Sequence, residues 1–78
     1  MDRYEEELRK AIEFASPIQA KFYHLFDAFR FIGATEGSSS RIYYYMNPLT
    51  GEYCYETDFG REMRLNIRRN RLKNYTKK

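Results

Sequence analysis

The stretch that decides the fold is Arg41–Asp58, RIYYYMNPLTGEYCYETD. Ile42–Met46 and Tyr53–Thr57 are rich in β-branched and aromatic residues, which suit a pleated, half-buried surface. Between them lies Asn47-Pro48-Leu49-Thr50-Gly51-Glu52. Asn suits the first position of a turn, Pro48 presets φ at the second, and Gly51 can take positive φ where the chain re-enters the sheet. The pattern predicts a hairpin with Met46 opposite Tyr53, Tyr44 opposite Tyr55 and Ile42 opposite Thr57. Directly opposed residues point to the same side of a sheet, so these residues share one face while Tyr43, Tyr45, Cys54 and Glu56 share the other. A slip of one residue on one strand would break that grouping.

Upstream of the hairpin the periodicity is helical. Asp2 and Glu5 suit an N-cap and its capping partner, and Glu5, Glu6 and Glu7 favour the positive end of a helix dipole. Tyr4, Leu8, Ala11, Ile12 and Ala15 follow at spacings of three and four, which predicts a helix over residues 3–15. Ser16-Pro17 is a boundary, with Ser16 able to cap and Pro17 suited to the first position of a second helix. Ile18, Phe22, Leu25, Phe26, Phe29 and Ile32 continue the helical period, and Tyr23, Ala28 and Phe31 widen the apolar surface. A second helix over 17–32 is expected, stopped by Gly33 and followed by a solvated loop, GATEGSSS, over 33–40.

Downstream, Asp58-Phe59-Gly60 reads as a turn. Met63, Leu65 and Ile67 then alternate with polar residues, a strand period. The expected fold is therefore α+β: two N-terminal helices packed on one face of a small antiparallel sheet, formed by hairpin 41–57 and a third strand over 62–68. The alternative is two helices, a hairpin and a C-terminal basic helix. Residues 1–69 form a single domain on this reading and residues 70–78 a basic tail, since chain ends are ordered only when tied down. A winged-helix arrangement fits poorly, because Lys21 and Arg30 are the only basic positions on what would be its recognition helix.

With 78 residues, eight Tyr, six Phe and no Trp, the chain is one small domain with enough apolar material for a core. The single cysteine, Cys54, cannot form an intramolecular bridge, so packing alone, or self-association as a homodimer, must supply stability. No run of about 18 apolar residues is present, so no membrane span is expected, and the acidic start MDRYEEELRK lacks an apolar signal core. One free thiol without a signal points to the cytoplasm.

The net charge of +3 is unevenly placed. Residues 1–60 carry six Lys/Arg and ten Asp/Glu, net −4, whereas residues 61–78 carry eight Lys/Arg and one Glu, net +7. Arg61, Arg64, Arg68, Arg69, Arg71 and Lys73 thus offer phosphate contacts, and Tyr43 and Tyr45, on the sheet face expected to be open, offer base stacking. The bland counterpart is a solvated basic end that offsets an acidic first helix.

No catalytic constellation is assembled. His24 is the only histidine and has no metal-ligand partner at helical spacing; a surface histidine is its simplest role. Cys54 would need a base beside it to act as a nucleophile. Asp58-Phe59-Gly60 lacks every other element of a kinase. No cofactor or metal is implied. The expectation is a non-enzymatic binding protein whose partner is nucleic acid or an acidic protein surface. The alternative is a small interaction or inhibitor protein of the kind phages and mobile elements direct at a host protein, since Tyr and Arg are enriched at interface hot spots.

Overall fold

The computed structural model describes residues 3–37 and 39–76, with the side chains of 4, 20, 21, 24 and 71–76 outside the description. Helix α1 (Arg3–Phe14) leads into a two-residue strand β1 (Ser16–Pro17) and a 3-10 helix (Ala20–Ala28). Strands β2 (Arg30–Glu36), β3 (Arg41–Met46) and β4 (Tyr53–Thr57) follow, and helix α2 (Asp58–Thr76) ends the chain. The four strands form one mixed sheet in the order β1-β4-β3-β2, with β1 parallel to β4 and the other pairs antiparallel.

The hairpin has the register its sequence implies: Met46 pairs with Tyr53, Tyr44 with Tyr55 and Ile42 with Thr57. Its turn is closed by the Asn47 N–H donating to the Glu52 carbonyl at 2.9 Å and the Gly51 N–H donating to the Asn47 carbonyl at 2.7 Å. The Asn47 side chain accepts the Leu49 N–H at 2.9 Å, the local side-chain bond that makes Asn a turn former. Gly51 sits at φ 76°, a conformation that costs other residues a steric clash.

Helix α1 covers the face bearing Ile42, Tyr44, Met46, Tyr53 and Tyr55. Ala11 and Tyr44 are buried there with Ile32 of β2, and Leu8 and Ala15 pack against them. The predicted apolar stripe of α1 is thus only partly used, because Ile12 remains exposed. Asp2, expected as the cap, lies outside the described residues.

Three expectations are overturned. No second α-helix spans 17–32. Ser16 and Pro17 instead pair with Cys54 and Tyr55, and the Ile18 N–H donates to the Tyr55 carbonyl at 3.0 Å. Residues 20–28 wind as a 3-10 helix, whose turn of about three residues aligns Tyr23, Phe26 and Phe29 on one side. Those side chains are half-buried, while Phe22 and Leu25 are exposed. The same stretch holds a spacing of three inside what looks like a helical period, and packing selects the three.

Second, residues 30–36 form edge strand β2 rather than a helix end and a loop. A bulge between Phe31 and Gly33 adjusts the pairing with β3. A Cβ at Gly33 would sit 3.2 Å from the Leu8 side chain, so glycine permits α1 to lie close to this strand. Third, residues 62–68 are not a strand: they lie within α2, and Asp58-Phe59-Gly60 is its first turn. The Thr57 hydroxyl accepts the Gly60 N–H at 3.2 Å, as an N-cap does. The helix takes in residues 70–76 of the 70–78 segment expected as a tail, residues 77 and 78 lying outside the described residues.

The two α-helices consequently lie on opposite faces of the sheet, not on one. The face of Tyr45, Cys54 and Glu56 is closed by α2 and the 3-10 helix. Fold class is α+β as expected, with two α-helices and four strands among the described residues, but the helices bracket the sheet in sequence.

Candidate nucleic-acid interface

Of the eight residues the sequence nominates, the structure places two in the core. Arg64 is buried, its side chain 10% exposed, and it meets Glu56, whose side chain is 2% exposed. Arg64 Nε donates to Glu56 Oε2 at 3.1 Å and Nη2 to Oε1 at 2.8 Å, a two-pronged pair that uses the guanidinium fork. Tyr45 Oη donates to the same Oε1 at 2.7 Å. The guanidinium carbon lies 3.6 Å from the centre of the Phe26 ring, and Phe26 meets Tyr45 edge-on at 4.6 Å. Burial alone would lower the pKa of Arg64, but its bond to the Glu56 carboxylate holds the value above the ordinary one. Burial and then the bond to Glu56 push the Tyr45 phenol well above its usual pKa. This knot joins α2, β3, β4 and the 3-10 helix. Arg64 and Tyr45, expected from the sequence on an open face, therefore turn their polar groups inward to Glu56.

Tyr43 is half-buried. Its hydroxyl donates to Asp58 Oδ1 at 2.8 Å, and Asp58 Oδ2 accepts the Arg41 backbone N–H at 2.9 Å. The Arg41 N–H and then the Tyr43 hydroxyl hold the exposed Asp58 carboxyl below the usual carboxylate range. The Arg61 guanidinium stands over the Tyr43 ring, 5.1 Å from its centre. One face of Tyr43 is thus already taken.

Arg61, Arg68 and Arg69 are exposed on α2. Arg68 makes a long, solvated ion pair with Asp27 at 3.6 Å. Arg61 and Arg69 line a shallow hollow with Asp58, Glu62, Leu65 and Asn66. The side chains of Arg71 and Lys73, and that of His24, lie outside the description. Arg61 faces a second cavity of about 280 Å³, lined by Phe31, Tyr43, Tyr45, Arg61 and Arg64. Phe31 is 54% exposed there, with its ring centre 6.4 Å from Tyr43 and 5.6 Å from Tyr45.

Phe31 is the residue the sequence reading missed. A helical assignment for residues 17–32 gave it no sheet face. Once β2 is recognised, its pairing opposite Tyr45 places it on the α2 side. A strand-like Arg-Phe-Ile-Gly-Ala-Thr-Glu run was the available signal.

Cys54 is buried, and burial raises its thiol pKa, with Glu52 adding to the shift. Among the described residues no hydrogen bond from a base to its sulfur is present, and burial favours the neutral thiol. Among the described residues no group of three or more His, Cys, Asp or Glu side chains could hold a metal ion. None of the described helices is long and apolar enough to cross a membrane. No family model, curated protein or solved structure matches the chain.

Proposed function

We propose that the protein is a non-enzymatic binding protein that holds a nucleic acid on the exposed flank of α2. The observation that carries this reading is that Arg61 and Arg69, free of ion pairs among the described residues, line one hollow on the helix flank, and Arg61 also borders the cavity of the Phe31 and Tyr43 rings. Arginine suits phosphate oxygens because its planar fork donates two parallel bonds. A residue rise of about 1.5 Å puts Arg61 and Arg69 about 12 Å apart along the axis, far enough to hold two separate phosphates. The net charge of +7 over residues 61–78 adds long-range attraction for any polyanion.

Binding measured by anisotropy of a labelled single strand across a salt series tests it. Three phosphate contacts, from Arg61, Arg68 and Arg69, predict a log–log slope of about −2, so affinity falls roughly 20-fold for a fourfold rise in salt. Substituting Arg61→Ala and Arg69→Ala together should flatten that slope by about 1.4. A slope near zero, or one unchanged by the pair of substitutions, would exclude this surface.

A second reading rests on a different observation. Phe59, Met63 and Ile67 recur every four residues along α2 and all are exposed. Such a row, on a helix that also carries exposed arginines, suits a protein partner whose surface is apolar at the centre and acidic around it. Co-purification of one stoichiometric protein that survives nuclease and is lost in Met63→Glu would favour this reading over the first.

A further inference from the structure

The cavity beside Phe31 has a shape and chemistry that phosphate binding alone does not use. We infer that it is a socket for one unstacked base of a single-stranded nucleic acid, with Phe31 as the stacking platform. This rests on the nucleic-acid reading above and names the form of nucleic acid recognised.

Three features converge on it. Phe31 projects from edge strand β2 with more than half its surface in solvent, unusual exposure for a ring with two aromatic neighbours. Tyr45 is buried and Tyr43 already carries the Arg61 guanidinium, so Phe31 supplies the available aromatic face. The cavity measures about 280 Å³, at the lower end of ligand pockets, which suits one planar ring system rather than a helical groove. Arg61 lines both this cavity and the hollow containing Arg69. Its delocalised guanidinium can lie against a base plane or fork onto the adjoining phosphate.

The distinction from duplex binding follows from the physics of stacking. Bases within a duplex have both faces covered by their neighbours, so an aromatic platform gains only by receiving a base already unstacked. The 2′-hydroxyl is not addressed by a ring stack, and DNA and RNA strands should both enter. The rigid part of the socket is the floor. Tyr45 is hydrogen-bonded to Glu56, which is clamped by Arg64, so the pocket is preformed and little ordering entropy is lost on binding.

The absence of tryptophan makes a direct test possible. In Phe31→Trp the introduced indole is the sole tryptophan and reports contact at this position. Oligothymidylate and oligouridylate of about 12 nucleotides, a size one small domain can occupy, should quench its emission on binding. A duplex, an abasic oligomer and heparin should not. Anisotropy should show Phe31→Ala weakening the two single strands by about tenfold or more, with heparin affinity unchanged and Phe31→Trp retaining the wild-type value. A far-ultraviolet circular dichroism spectrum and urea midpoint matching the wild type show that Phe31→Ala is folded. Binding of the strands without quenching, or equal loss of strand and heparin, would overturn the socket while leaving the phosphate surface standing. Failure of the wild-type protein to bind any of these polyanions would overturn both.

Discussion

Replacing Arg64 by methionine removes the clamp that holds α2 on the sheet while keeping an unbranched apolar stem out to about the position of Nε. The substitution leaves the Glu56 carboxylate with one remaining donor, the Tyr45 hydroxyl, at a position whose side chain is 2% exposed. Stripping the partner from such a buried charge typically costs about 3–5 kcal/mol. The contact with the Phe26 ring is not wholly lost, because a thioether also packs well on an aromatic face. A domain of this length is stable by only about 4–12 kcal/mol, so Arg64→Met should remove about a quarter or more of the total. With a urea m-value of about 1 kcal/mol per molar, expected for a small domain, the midpoint should fall by about 3–5 M. The companion Glu56→Gln keeps an acceptor for Tyr45 but leaves Arg64 without its carboxylate. The double variant, Glu56→Gln with Arg64→Met, removes both charges and should cost only about 1–2 kcal/mol, because no buried charge is left unpaired. The two single losses should therefore exceed the double loss by several kcal/mol in urea unfolding followed by circular dichroism. A loss below about 1 kcal/mol for Arg64→Met, or additive single and double losses, would refute the view that this pair anchors the helix.

Three further outcomes follow from the same site. The Tyr45 phenol has a folded pKa raised above the unfolded value of 10.0, so the unfolded chain loses the proton first. Stability is then fully present below that pH and falls as pH rises above it; thermal melting in an alkaline series should show the loss, and Tyr45→Phe should shift it to higher pH. Cys54, buried and with a raised pKa, should react with a thiol-specific reagent only as fast as the chain opens, so urea near the unfolding midpoint should accelerate labelling by orders of magnitude. Glu62 lies in the hollow with Arg61 and Arg69, and Glu62→Gln should strengthen binding of a single strand several-fold at low salt and less at high salt, measured by anisotropy.

How much was legible can be judged residue by residue. The hairpin was, down to its register, because Asn47-Pro48 and Gly51 specify a turn locally and alternation specifies the faces. Helix α1 was also legible, since its charged first turn and its Leu8–Ala11–Ala15 stripe are self-contained. Residues 17–36 were not. Phe22, Phe26 and Phe29 satisfy a helical period, yet Tyr23, Phe26 and Phe29 satisfy a period of three, and only a sheet waiting beneath them chooses. The alternation of Met63, Leu65 and Ile67 was misleading because Met63 and Ile67 are exposed, whereas the residue buried between them is the charged Arg64.

By itself the sequence determined the α+β class, the hairpin that organises the sheet, the acidic first helix and the basic end of the chain. These follow from local preferences and from composition. Only the tertiary structure decided which basic and aromatic residues remain available to a partner. Arg64 and Tyr45 were drawn into the core by Glu56, a residue that alternation placed on the face of Tyr45 but that no spacing linked to Arg64, and Phe31 was left outside. The free energy of a buried charge depends on whether its partner is within reach in three dimensions, and one-dimensional periodicity carries no record of that.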